Sequence, residues 1–346
     1  MIEPPSKKLQ QQLEALHLCG RGDLRSCRGR VRRLARDLPA FDSVWIDALL
    51  QNRNITPFQA RLLDSPHAER LAVGPCVLVD RLGRGPHSTT YIARPRNGDE
   101  RCVLKVVREI VCPAAAALEQ LQSLVERSKT VRNVHVVVPN RVVLHEDRPV
   151  LLSRFAAGQP LTGLLIRRGR FPASIVAEIG RQLVDGSAAL ESAGLIHGDV
   201  TLWNARLLPS GDIVLVDAGV MPIVQSDVAV RADVGPERYD GIAPERIATG
   251  DRATASSDMY ALGCLLWQLA AGRPPFPTGD PLAKLAQHQT REVADVREWA
   301  PDTPEPLARS IAAMTAFDAA DRPESFAVLA GKWGASRPAG RRRLKS

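Results

Sequence analysis

"HGDVTLWN", residues 197 to 204, decides how the rest of the chain is read. It lies between an apolar, helix-like stretch and the strand-like run "DIVLV" at residues 212 to 216. Asp199 and Asn204 stand five residues apart, and Asp217 follows Asn204 by thirteen, directly after that strand. An isolated Asp at a strand end is usually a cap. An Asn and an Asp brought together carry more information, because carboxamide, carboxylate and water oxygens make the hard donor set that suits Mg²⁺.

Upstream, from Val73, short runs rich in Val, Leu and aromatic residues ("CVLVDRLG", "TTYIARP", "RCVLKVV") alternate with turn signals and read as strands. A helix follows from about Pro113, then "VHVVVPNRVVL" and "PVLLSRF" give two more strands. Between the first two strands, "LGRGPHSTTY" places Gly83 and Gly85 where backbone N–H groups can approach a phosphate closely. Gly-x-Gly at a turn is a weak signal by itself. Twenty residues after Gly85, however, comes Lys105, set mid-strand among Val103, Leu104, Val106 and Val107, where a buried ammonium demands an anionic partner. After Gly158 the chain reads as largely helical through Trp333.

Residues 1 to about 70 differ. Leu9, Leu13 and Leu16, then Val31, Leu34 and Leu38, recur at three- and four-residue spacing, and Ala48, Leu49 and Leu50 continue the pattern. Thr56 reads as an N-cap with Pro57 at the first helical position and Phe58 and Leu62 on one face. The expectation is a small helical module without chemistry of its own.

This order of five strands and one helix, then a helical half, together with the spaced Lys105, Asp199, Asn204 and Asp217, resembles the Ser/Thr protein kinase superfamily, in particular its bacterial eukaryotic-like branch. The resemblance implies an α+β, two-lobed fold: a small β-rich N-lobe at about 76–157 and a large helical C-lobe at about 158–333. The 1–70 helical module precedes it, and a basic disordered tail at 334–346 follows. It implies ATP and Mg²⁺ as cofactors, Asp199 as the group that orients and deprotonates the acceptor hydroxyl, and Asn204 and Asp217 as metal ligands. Gly83, Gly85, Lys105, Ala156 and Arg206 fall among the nucleotide contacts. A Glu of the helix after Lys105 would pair with it; Glu126 fits best by spacing and Glu119 is the alternative. "IAPE" (242–245), Asp258 in "SDMYALG" and Arg322 in "DRPES" match structural landmarks, with Arg322 as the partner of Glu245.

The departures from that pattern are specific. Ser88 replaces the third glycine of the Gly-rich turn, Gly198 replaces an Arg that engages a phosphorylated activation loop, and Ala218 replaces a Phe. Thr201 stands where the resemblance has a Lys, which neutralises the transferring phosphoryl group. Arg238 stands where it has the Thr that bonds this Lys and the catalytic Asp. Lys and Thr have changed together, so Arg238 is a candidate catalytic cation, with a solvent-exposed loop residue as the alternative. Arg206, two residues after Asn204, could stack on a purine or fill its pocket. The expectation is a protein kinase acting on Ser/Thr hydroxyls of a protein substrate; the alternative is a pseudokinase scaffold that binds nucleotide or partner without transfer.

The 346 residues are 45% hydrophobic and 24% charged, as in globular proteins. Residues 21–36 hold seven Arg against Asp23, and residues 332–346 hold six Lys/Arg and no acid. These two segments together exceed the net charge of +8, so the remainder is net acidic. Both read as solvated features, and nucleic acid is not an expected partner. The N-terminal helices could engage a protein. The longest apolar stretch, 259–272, is too short to span a bilayer. Cys19, Cys27, Cys76, Cys102, Cys112 and Cys264 form no Cys-x-x-Cys pair, which suits reduced thiols in a cytoplasmic protein.

Overall fold

The computed structural model describes residues 3–36, 39–85, 87–108, 114–225, 235–250 and 252–335. Leu38, Cys112, part of the segment before "IAPE" (226–234) and the tail from residue 336 lie outside them. The chain divides into two compact units, Met1–Arg108 with Val143–Phe155, and Glu109–Val142 with Ala156–Ser346.

The first unit opens with four helices: α1 (Lys7–Ala15), α2 (Arg21–Ala35), α3 (Asp42–Gln51) and α4 (Pro57–Leu63). Leu9, Leu13 and Leu16 are buried, as their spacing predicts. In α2 the buried stripe runs at steps of four through Cys27, Val31 and Ala35, which turns Leu34 to the edge, where it is 38% exposed. At α4 the hydroxyl of Thr56 accepts from the Gln59 backbone N–H at 3.2 Å, and the Gln59 carboxamide accepts from the Thr56 N–H at 3.0 Å. The buried face of α4 is Gln59, Ala60 and Leu63, with Phe58 and Leu62 only half-buried. Gln59 is drawn inward because its carboxamide donates to the Leu78 carbonyl at 2.8 Å.

The sheet has six strands in the order β1-β2-β3-β4-β6-β5. Four of them are β1 (Ala72–Val73), β2 (Cys76–Arg84), β3 (Ser88–Pro95) and β4 (Cys102–Val107), and the other two are β5 (Pro139–His145) and β6 (Arg148–Arg154). The β2–β3 register slips between Leu78 and Asp80. The N-terminal helices plug in at that irregularity, Thr56 donating to the Val79 carbonyl at 2.6 Å beside the Gln59 bond. One apolar core runs from Leu9, Leu13 and Trp45 through Leu71 to Val77, Leu104 and Val150. The helices and the strands of this unit therefore share a core.

The second unit begins with α5 (Ala114–Ser128). The expected strand over 134–144 forms only from Pro139. Before it, His135 and Val137 bond to Leu215 instead, the Leu215 N–H donating to the His135 carbonyl at 2.9 Å and the Val137 N–H to the Leu215 carbonyl at 2.7 Å. A three-stranded sheet β7-β8-β9 (Gln159–Pro160, Ala205–Leu207, Ile213–Leu215) follows. Around it lie α6 (Leu161–Arg168), α7 (Ala173–Ser192), α8 (Met221–Val224), α9 (Pro244–Ala248), α10 (Ala255–Ala271), α11 (Pro281–Thr290), α12 (Glu305–Met314) and α13 (Phe326–Ala335). Helix α10 is apolar all round and buried through Leu262, Leu266 and Trp267, which places it at the centre of this unit. Among the described residues, no helix is long and apolar enough to cross a membrane.

Candidate active site

The buried helix α10 positions "HGDVTLWN" directly. The Asp258 carboxylate accepts from the His197 N–H at 2.7 Å and from the Gly198 N–H at 2.9 Å. Burial pushes the Asp258 carboxyl up to about 7, against the pull of those two N–H bonds. His197 is fixed in turn: its Nδ1 accepts from the Asp199 N–H at 3.2 Å, so its Nε2 carries the proton shared with the Val216 carbonyl at 3.0 Å. Gly198 has φ 75°, and a Cβ there would lie 2.2 Å from Pro222 Cγ. The backbone of this loop excludes the Arg that the resemblance places at 198.

Asp199 and Asn204 meet within the loop. Asn204 Nδ2 donates to both the carbonyl and the Oδ2 of Asp199, each at 2.8 Å. Both amide hydrogens are used, which leaves Asn204 Oδ1 as the free acceptor of that side chain. The β8–β9 register pairs Ala205 with Leu215, and the Val216 N–H donates to the Asn204 carbonyl at 2.9 Å. Asn204 and Asp217 are thus carried at the same end of one hairpin. Asp217 adopts φ 69°, uncommon for a residue with a side chain. One free carboxamide oxygen and a neighbouring carboxylate are a donor set that fits Mg²⁺.

Arg238 comes from a short 3₁₀ turn, Pro236–Tyr239, and its guanidinium lies 3.0 Å from Asp199 Oδ2. The Asp199 side chain is only 13% exposed and that of Arg238 33%, so this ion pair is partly shielded from water. Thr201 supplies no charge; its carbonyl accepts from the Asn204 N–H at 3.1 Å and shapes the turn.

Arg206, in β8, donates through Nε and a terminal nitrogen to the Gly158 carbonyl at 3.1 and 2.8 Å. Gly158 must be glycine for this, since a Cβ would lie 2.6 Å from the Leu207 carbonyl oxygen. Burial lowers the Arg206 pKa, opposed by the charge of Asp217. Ala156 joins a small apolar cluster with Val137 and Val214, against which Val216 and Leu208 pack.

The sequence-predicted residues of the first unit have their own setting. Lys105 is buried in β4, opposite Thr90 on one side and Leu151 on the other. Gly83 meets nothing within 4 Å of a built Cβ, the Gly85 N–H donates to the Ser88 carbonyl at 2.9 Å, and the Arg108 guanidinium donates to the Gly85 carbonyl. The proposed glutamates lie on the exposed face of α5, whose buried face is Ala117, Leu121, Leu124 and Val125. Glu126 is held by Lys129 one turn on, at 2.7 Å.

Sequence reasoning did not anticipate a small, open cleft beside the loop, lined by Thr162, Thr201, Trp203, Glu237, Asp240 and Gln268. Trp203, inside the quoted motif, is half-exposed at its mouth, and a bulky aromatic directly before Asn204 was the available signal. The Asp240 carboxylate at its wall is paired with the almost fully buried Lys284. Burial raises the Asp240 pKa and the Lys284 contact opposes it. The landmark pair is present: Arg322 makes a two-pronged contact to Glu245 at 2.8 and 2.9 Å.

These features coincide with a known family. The protein kinase domain model matches residues 76–334, well over half of the chain, and the chain belongs to this family. The chain is 26% identical over 246 residues to serine/threonine-protein kinases PknA of Corynebacterium glutamicum, covering 68% of this chain and 48% of that one. It is 32% identical over 177 residues to serine/threonine-protein kinase PknL of Mycobacterium tuberculosis, covering 50% and 43%. It is also 26% identical over 214 residues to mitogen-activated protein kinase kinase kinase 19 of Homo sapiens, covering 59% and 16%. The chain therefore spans less than half the length of these curated relatives. Family membership carries ATP- and Mg²⁺-dependent phosphoryl transfer as its general chemistry.

Proposed function

We propose that this protein is an ATP- and Mg²⁺-dependent kinase that phosphorylates Ser/Thr hydroxyls of a protein substrate. The observation that carries the reading is the Asp199 carboxylate, held by Asn204 and by Arg238 at 3.0 Å, on a loop clamped from beneath by Asp258. Asp199 Oδ1 is the oxygen neither contact uses, and it accepts the proton of the acceptor hydroxyl. Asn204 Oδ1 and Asp217 would hold Mg²⁺. When bound, the metal neutralises charge on the nucleotide phosphates. Lys105 binds phosphate oxygens under the turn carrying Gly83 and Gly85. Ala156 offers the purine an apolar wall, and Arg206, committed to the Gly158 carbonyl, presents its flat face rather than a free charge.

Arg238 does two things in this reading. It fixes the orientation of Asp199, and it supplies the cation that Thr201 cannot. The substrate lies toward the cleft at Trp203, where an indole face and the Glu237 carboxylate line the wall beside a side chain flanking the acceptor.

Transfer of radiolabelled phosphate from ATP to the protein itself or to a general acceptor, compared between the wild type and Asp199→Asn, tests the reading. Transfer that depends on Mg²⁺ and vanishes in the variant supports it. Nucleotide binding with no transfer by the wild type assigns the chain to the pseudokinases.

A further inference from the structure

The exposed face of α2 carries a line of arginines. At about 100° per residue, Arg21, Arg25, Arg28 and Arg32 fall on one line, and all four are exposed. Among the described residues none of the four makes an ion pair. The single acid of the helix, Asp23, is turned away and already used, accepting from the Gly20 N–H at 2.8 Å and from Asn54 Nδ2 at 3.1 Å.

Beside this line lie Gly22 and Gly29, seven residues apart and also exposed. A glycine in a helix interior is destabilising relative to alanine, which applies in full to Gly29; Gly22 is the second residue of α2. Neither is required by packing, because a Cβ at either would meet nothing within 4 Å. Their effect is on the surface: they leave a flat strip where a partner reaches the helix backbone, bordered by guanidinium groups.

We infer that α2 docks on the phosphodiester backbone of a nucleic-acid duplex, without reading its sequence. Three properties of the face select this partner. The four arginines span about 17 Å, the length of duplex axis over which each strand presents about five phosphates, one per 3.4 Å of axis. Every cation is Arg, whose planar fork suits phosphate oxygens. The strip carries no apolar or aromatic anchor, the component that a protein interface needs at its centre; the apolar side chains nearest the arginine line, Leu24 and Ala35, turn into the core, and the exposed Leu34 lies about 150° round the helix from it. The sequence alone favours a solvated face for this segment. The unpaired alignment and the two unneeded glycines are what the structure adds.

The test is anisotropy of a labelled 20-base-pair duplex of mixed sequence with the full chain, between about 50 and 200 mM salt. The basic tail is present in every sample, so only α2 varies. In the variant Arg21→Gln/Arg25→Gln/Arg28→Gln/Arg32→Gln, the slope of log affinity against log salt falls by about 3 to 4, at about 0.9 per phosphate contact. The four-lysine variant keeps that slope. Gly22→Ala/Gly29→Ala raises the melting temperature while weakening the duplex several-fold, an outcome that misfolding cannot imitate. Equal slopes for the wild type and the four-glutamine variant overturn the inference. So does tighter binding of the wild type to poly-glutamate, or to vesicles containing phosphatidylserine, than to the duplex.

Discussion

The guanidinium of Arg238 lies 3.0 Å from Oδ2 of Asp199, and Thr201, two residues after that Asp, carries no charge. In the function proposed above, Arg238 supplies from the facing segment the cation that position 201 lacks. The pair is one-third exposed on the arginine side, so it contributes little to folding, at most ~1 kcal/mol. Arg238→Ala is therefore expected to melt within a few degrees of the wild type while its turnover drops on the order of 10²-fold. Thermal melts beside initial rates check this; a large loss of stability would mean the arginine is a structural strut.

Gly198 is set by its backbone. With φ at 75° and Pro222 occupying the place of a Cβ, Gly198→Ala must either clash or shift the loop. The expected cost is ~2 kcal/mol or more from strain and overpacking. It should be accompanied by lost transfer, because the same N–H holds Asp258. Chemical denaturation of this variant against Ala218→Gly, a neighbouring control, measures it.

His288 gives a pH dependence of defined sign. It is fully buried, its Nδ1 lies 2.8 Å from the Tyr260 hydroxyl, and burial pushes its pKa down to about 3, helped by the charge of Lys284. A base whose folded pKa lies below its unfolded value of about 6.5 contributes stability that is complete above pH ~6.5 and is lost as pH falls toward 3. The wild type should thus lose stability on acidification by up to ~1.4 kcal/mol per pH unit in this window, relative to His288→Gln. Parallel curves for the two proteins from pH 7 to 4 would exclude His288 as the cause.

The N-terminal helices and the six-stranded sheet share one core, so they should not unfold separately. Leu13, fully buried in α1, lies far in sequence from the sheet, yet Leu13→Ala should lower the stability of both by ~2–5 kcal/mol in one transition. Hydrogen exchange at β2 and β3 reads the sheet directly; protection there that is unchanged by the substitution would show two independent domains.

Much of this was legible in the sequence because it rests on local spacing. The Asp199–Asn204–Asp217 intervals place those residues on a loop and a hairpin, and the Thr56 cap followed by Pro57 marks the start of α4. What was not legible depends on packing at long range. The 134–138 segment has strand composition but spends its backbone bonds on Leu215, which periodicity does not reveal. Leu34 fits a three-residue step, but the helix buried Cys27, Val31 and Ala35 instead. The cleft at Trp203 and the buried Lys284–Asp240 pair join segments twenty or more residues apart, and no local pattern announces them.

The central claim is that Arg238 replaces the missing cation of the catalytic loop, and a four-protein cycle of single-turnover phosphoryl transfer at saturating Mg-ATP tests it most directly. The proteins are the wild type, Arg238→Thr, Thr201→Lys, and the double variant Thr201→Lys/Arg238→Thr. The account predicts that Arg238→Thr loses on the order of 10²-fold in rate, and that the double variant regains most of that loss although it lacks the arginine. Arg238→Thr reacting at the wild-type rate, or the double variant staying as slow as Arg238→Thr, would contradict it.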